Sequence, residues 1–380
     1  MGIQYSAQWR SCSLCSFGLF GLLTMRSPFF TRAFRTDIFT PLKANYPEIK
    51  TLLQDSALIE DTLRKLVEQT NPLPHLSEKD RIDQLVNYHW PVYQYVNLLL
   101  KRHRTKDKSK PLVIGISAPQ GCGKTTLTNI VCDLFKQEGK KCIALSLDDV
   151  YLTGKEQEEL AQKHDHNKLL EFRGNAGTHD LQLAMTTLHT LSALQPSQSG
   201  APAAAAHIPR YDKSLREGKG DRTNRENWQA VAEPVDVVLF EGWMLGFQPL
   251  SEVQLPVYTN MTAQSEESLV VDGKEGGTAA ATPGEEFQEA YTKARDVKEV
   301  NELLRPYEAL HWFMDAWLVL AVPGADASVV HRWRLQAEQA MRATGRGGLS
   351  DKQVAEFVGR FMPAYETYLP GLYAQGPQRA

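Results

Sequence analysis

One stretch, GISAPQGCGKTT from Gly115 to Thr126, constrains this chain more than any other. The short apolar run Leu112 to Ser117 leads into it, and the helix-spaced LTNIVCDLFKQEG leads out, giving strand, glycine-rich loop, helix. That order is a phosphate loop. Gly121 and Gly123 let backbone N–H groups turn inward on an anion, and the helix N-terminus behind them adds the positive end of a dipole. The strict pattern opens on glycine; here Ala118 stands in that place, followed by Pro119, Gln120, Gly121, Cys122, Gly123, Lys124, Thr125 and Thr126. These residues are expected to cradle ATP, with Lys124 on the β and γ phosphates and the Thr125 hydroxyl on Mg²⁺.

A second apolar run, Cys142 to Leu147, follows at the spacing of a βαβ unit. Two more, Val235 to Phe240 and Trp317 to Val322, lack polar alternation and read as strands buried on both faces. The expected fold is therefore α/β, a doubly wound parallel sheet of the P-loop NTPase type within a kinase domain over 111–380. Residues 37–110 read as a helical N-terminal extension ending in the basic linker KRHRTKDKSK, and a helical lid region is expected at the C-terminal end. Two low-complexity stretches near 195–206 and 251–286 read as surface insertions.

Acids stand at the carboxyl ends of two of these strands, the edge where α/β sheets hold ligands. SLDDVYLT carries Asp148 and Asp149 directly after the second strand. Phosphorylating an alcohol needs a carboxylate to orient the hydroxyl and accept its proton, and Asp148 is the favoured base; a helix-capping pair is the alternative. VVLFEGW ends on Glu241, placed to hold the metal, so Thr125, Glu241 and Asp148 form the candidate Mg²⁺ set. After the fourth strand, Arg332 and Arg334 lie on a helix that could neutralise transition-state charge, or simply present a solvated basic face.

The chain has 380 residues with a formal net charge of -3, which argues against a general polyanion binder, so no nucleic-acid partner is expected. Five cysteines spread over this length do not make a secreted disulfide framework. Residues 1–36 contain arginine but no acid, the composition of an organelle transit peptide; a secretory signal or an untargeted tail are the alternatives. Their apolar run, Phe17 to Met25, is too short to span a bilayer, and no membrane partner is expected.

Several longer strings carry a resemblance. RGNAGTHDL, IPRYDKS, GDR, FEGWMLGF and WRLQAE, in this order from Arg173 to Glu338, resemble the D-glycerate 3-kinase family of plants, algae and relatives. That family is similar in turn to phosphoribulokinase, uridine kinase and pantothenate kinase, whose serine, aspartate and tyrosine after the second strand match Ser146, Asp148 and Tyr151. The resemblance implies ATP-dependent phosphorylation of D-glycerate at its 3-hydroxyl, the closing reaction of photorespiration, in a chloroplast, with mitochondrion or cytoplasm as alternatives. A monomer is expected. The substrate is a small anion, so its carboxylate calls for a guanidinium fork, with Arg173 and Arg210 as candidates and Asn175, His179, Tyr211 and Asp212 to read hydroxyls. A kinase of another small alcohol and a non-catalytic ATP-binding regulator are the competing readings; a base at the acceptor edge argues against the second.

Overall fold

The computed structural model describes residues 19–24, 56–70, 72–73, 76–107, 109–195, 205–255, 294–322, 326–343 and 349–377. Most of the leader at 1–36 and of the two insertions falls outside these residues. The strands are β1 (Leu19–Thr24), β2 (Leu112–Ser117), β3 (Cys142–Ser146), β4 (Ala206–Ile208), β5 (Tyr211–Asp212), β6 (Asp221–Arg222), β7 (Gln229–Val231), β8 (Val237–Gly242) and β9 (Ala316–Ala321). The helices are α1 (Ser56–Thr70), α2 (Glu78–Gln84), α3 (Trp90–Lys106), α4 (Lys124–Gln137), α5 (Gly154–Lys163), α6 (Leu181–Ala193), α7 (Ala294–Leu304), α8 (Tyr307–His311), α9 (Val329–Ala343), α10 (Asp351–Gly359) and α11 (Met362–Gln375).

Five strands form one sheet in the order β1-β9-β2-β8-β3, and each neighbouring pair is parallel. β2, β8 and β9 are buried at every position, as strands covered on both faces must be. Successive side chains point to opposite faces. Thus Ile114, Ile116, Val237, Leu239, Leu318 and Leu320 join one core with residues of α1, α3 and α4. Val113, Ile143, Leu145, Val238, Phe240 and Val319 join another with residues of α6, α7, α10 and α11. The sheet is doubly wound. Beside it, β4 pairs with β7 and β5 pairs with β6, both antiparallel.

Three details differ from the sequence reading. The strand expected at 235–240 is β8, two residues later, because Asp236 is spent outside the ladder: its carboxylate accepts the Lys141 N–H at 2.6 Å. The basic run begins as the end of α3, not as a linker; cations suit a helix C-terminus, and Arg104 pairs there with Asp236. α3 itself packs on the sheet. Finally, the apolar part of the leader supplies β1, which pairs along its whole length with β9 at the sheet edge. No described helix is long and apolar enough to cross a membrane.

Candidate active site

The phosphate loop begins where β2 ends, its Ala118 N–H donating to the Gly242 carbonyl at 3.3 Å. Gly121 and Gly123 take φ of 79° and 84°, the left-handed region that glycine enters without penalty. Gly123 is the N-cap residue of α4 and offers no side chain to its first turn, so those N–H groups keep their capacity for an external anion. Tyr365 of α11 braces the loop from behind, its hydroxyl oxygen accepting the Gln120 N–H at 2.9 Å. Lys124 folds back, donating to the Pro119 carbonyl at 3.2 Å, and Thr126 is exposed beside it.

Thr125 and Glu241 meet, the Thr125 hydroxyl donating to Glu241 Oε1 at 3.1 Å. Burial pushes the Glu241 carboxyl up, opposed by the nearby Lys124 ammonium. A hydroxyl and a carboxylate from adjoining elements are hard oxygen donors and fit Mg²⁺, which takes one or two protein carboxylates and completes its shell with phosphate oxygens and water. No three His, Cys, Asp or Glu side chains cluster as a metal cage among the described residues. Cys122 is buried and its thiol pushed up by burial, which disfavours the reactive thiolate.

Asp148 opens a single helical turn after β3. Its Oδ1 accepts the Tyr151 hydroxyl at 3.0 Å and its Oδ2 accepts Lys213 Nζ at 2.5 Å. Burial alone would raise its pKa, but Lys213, Lys124 and His179 overcome that and bring it to about 2. The group is a carboxylate at neutral pH. Asp149 faces the other way: it pairs with Arg210 at 2.9 Å and accepts the Tyr211 N–H at 3.2 Å, fixing β5 against the end of β3.

The expected substrate residues divide. His179 stacks on Tyr151, ring centroids 4.4 Å apart, and its Nδ1 lies 2.6 Å from the Tyr307 hydroxyl. Burial lowers its pKa to about 3, so the imidazole is neutral, and Nε2 is a buried atom with no hydrogen-bond partner. Tyr211 packs edge-on against Tyr151 and lies under the Arg173 guanidinium. Arg173 itself donates to the carbonyls of Gly218 and Lys219. Asn175 is buried and donates to the Leu169 and Arg360 carbonyls at 3.0 and 3.1 Å, a scaffold role. Asp212 caps its own turn, accepting from Ser214 N–H at 2.8 Å.

α9 brings its backbone to the loop: a Cβ on Gly121 would meet Trp333 Cβ at 3.0 Å and the Arg334 backbone nitrogen at 3.5 Å. Arg334 pairs with the buried Glu338, and Arg332 is exposed on the same helix. The strings quoted above thus converge in space. Trp243 Nε1 donates to the Gly174 carbonyl at 3.2 Å, Arg222 pairs with Asp180 at 3.1 Å, and the Asp221 carboxylate accepts the Gly154 N–H at 2.8 Å. Sequence reasoning missed Lys213, Tyr307 and Tyr365. Lys213 stood inside IPRYDKS and could have been found as the cation nearest the aspartate of that string; the two tyrosines look like apolar packing.

No protein-family model matches the chain. It is 42% identical over 298 residues to the chloroplastic D-glycerate 3-kinase of Arabidopsis thaliana, covering 77% of this chain and 56% of that relative. A probable ATP-dependent kinase of Saccharomyces cerevisiae is 33% identical over 266 residues, 68% of this chain and 78% of the relative. Among solved structures, D-glycerate 3-kinase from Cryptococcus neoformans is 35% identical with a TM-score of 0.62, covering 75% of this chain and 89% of that one.

Proposed function

The chain belongs to the D-glycerate 3-kinase family, and from that premise we propose that it transfers the γ-phosphoryl group of ATP to the 3-hydroxyl of D-glycerate, releasing 3-phosphoglycerate and ADP. The observation that carries the reading is Asp148, an ionised carboxylate beside Lys124 and Glu241 at the carboxyl edge of the sheet. A nucleotide switch needs no base there. The 3-hydroxyl attacks the γ-phosphorus in line, Asp148 takes its proton, the new P–O bond forms, and the bond to the β,γ-bridging oxygen breaks. Lys124 leaves the Pro119 carbonyl for the β and γ phosphates, and the loop N–H groups and the arginines of α9 hold the remaining charge. Thr125 and Glu241 would hold Mg²⁺, which would supply further neutralisation of phosphate charge.

A coupled ADP-release assay over D-glycerate, uridine, ribulose 5-phosphate and pantothenate tests this. Turnover on D-glycerate far above the others is expected; turnover on another alcohol with none on D-glycerate would sink the reading. The acid-free leader and the chloroplastic relative support action in a chloroplast, in photorespiration, and a fluorescent fusion of residues 1–60 that stays in the cytoplasm of a plant cell would refute that. We read the enzyme as a monomer, to be checked by light scattering.

A further inference from the structure

D-glycerate is an anion, yet the two guanidinium groups expected at its carboxylate are engaged elsewhere. Arg210 is paired with Asp149, and Arg173 holds the carbonyls of Gly218 and Lys219. The substrate has only three carbons. Whatever cation meets its carboxylate must therefore lie within a side chain's reach of the base that meets its 3-hydroxyl. Lys213 meets this requirement: its Nζ is 2.5 Å from Asp148 Oδ2, and its side chain, 57% exposed, has room to swing. Its backbone is held on both sides, before it by the Tyr211 N–H donating to Asp149 and after it by Arg173 donating to the Gly218 carbonyl.

We propose that Lys213 is the carboxylate-binding residue of the site, a latch that rests on Asp148 when the site is empty and exchanges onto the carboxylate of D-glycerate as the 3-hydroxyl takes its place at Asp148. This rests on the reading of the chain as a D-glycerate kinase and names the group that makes it specific. The ammonium trades one carboxylate for another and is never left unpaired, so the exchange carries little electrostatic cost. The departure of Lys213 frees the Asp148 oxygen that it occupied for the incoming 3-hydroxyl. A neutral polyol offers no carboxylate to draw Lys213 away, so the base stays occupied and the polyol is rejected. Recognition of the acid and access to Asp148 become one event.

The test compares wild type, Lys213→Met and Lys213→Arg by ADP release, varying D-glycerate and ATP separately, with thermal melts as a folding control. Loss of a charged hydrogen bond corresponds to roughly a 10- to 100-fold change in affinity, so Lys213→Met should raise the D-glycerate KM by about that factor. Its kcat and ATP KM should stay within about threefold, and Lys213→Arg should recover most of the loss. An unchanged D-glycerate KM, or a fall in kcat at constant KM, in a Met variant that melts like wild type overturns the latch alone. A wild-type enzyme inert towards D-glycerate overturns the function reading and the latch with it.

Discussion

Gly121 of the phosphate loop lies directly under Trp333 of α9, so close that a Cβ on the glycine would sit 3.0 Å from the Trp333 Cβ. The glycine therefore serves two ends, a left-handed φ of 79° and the seating of the lid helix. Gly123, at φ 84°, has nothing within 4 Å of its notional Cβ and serves only the first. The two alanine variants should separate these roles. Gly123→Ala should cost about 1–2 kcal/mol of backbone strain in urea unfolding. Gly121→Ala should cost more and also raise the ATP KM at least tenfold, since it displaces α9 from the phosphate loop; equal effects of both variants would contradict the contact.

Asp148 and Asp149 are neighbours with opposite duties, and asparagine substitutions should tell them apart. Asp148→Asn removes the proposed proton acceptor and should lower kcat by roughly 10²- to 10⁴-fold while ATP binding, read by nucleotide titration, holds. Asp149→Asn weakens the anchor for Arg210 and the Tyr211 N–H, so its effect should fall on the D-glycerate KM and on stability, with kcat much less changed. If Asp149→Asn proved the more damaging to kcat, the base has been assigned to the wrong carboxylate.

The contrast shows which parts of the site sequence can reveal. The three central strands β2, β8 and β9, the loop glycines and the strand-end acids are legible because their spacing follows from backbone geometry and from burial on both faces. Partner choice is not. Arg173 and Arg210 are plausible anion binders as residue types, but whether each meets a substrate, a carbonyl or Asp149 depends on which segments fold together. The end of α3 misleads for another reason: a run of cations has the same composition whether it is a solvated linker or a helix C-terminus. Tyr365 hides a single polar contact in an apolar helix, and no periodicity marks it.

Three histidines, His89, His179 and His311, are buried, and burial lowers their pKa values to about 4, 3 and 4. His311 accepts the Gly246 N–H at 3.0 Å through Nε2, a bond that requires the unprotonated ring. The unfolded chain binds protons at these residues near pH 6.5 and the folded chain does not. Their contribution is thus complete above about pH 6.5 and lost as pH falls towards the folded values, at up to about 1.4 kcal/mol per pH unit for each. Asp148, depressed to about 2, contributes above its unfolded value near 4 and so adds no slope in this window. Asp149 and Glu241, raised by burial, act in the opposite sense, and the histidine loss is followed from about pH 6.5 to 5.5, just below the unfolded value of histidine. Urea unfolding across that range should show falling stability; a flat profile would mean the histidines titrate normally.

Arg332 and Arg334 stand two residues apart on α9, but their surroundings assign them different work. Arg334 pairs with Glu338, whose second oxygen accepts the Leu349 N–H at 3.0 Å, and its guanidinium lies over the Phe357 ring at 4.9 Å. It therefore joins α9 to the segment that leads into α10. Removing it leaves the buried Glu338 without its counter-charge, a loss that costs up to a few kcal/mol and less where solvent reaches the pair, as it does at the Arg334 side chain, 33% exposed. Arg334→Ala should accordingly lower the melting temperature by several degrees and reduce activity in proportion to the displaced lid. Arg332 is exposed on the same helix, one residue before the Trp333 that meets Gly121 of the phosphate loop. Arg332→Ala should leave the melting temperature within a degree or two and lower kcat by about tenfold or more, the signature of a charge that acts on the transferring phosphoryl group. Ionic strength gives an independent check, because an exposed guanidinium acting across solvent is screened by salt: kcat of the wild type should fall with added salt more steeply than kcat of Arg332→Ala. Parallel salt curves with an unchanged kcat would take Arg332 out of the chemistry and leave α9 as a brace for Gly121.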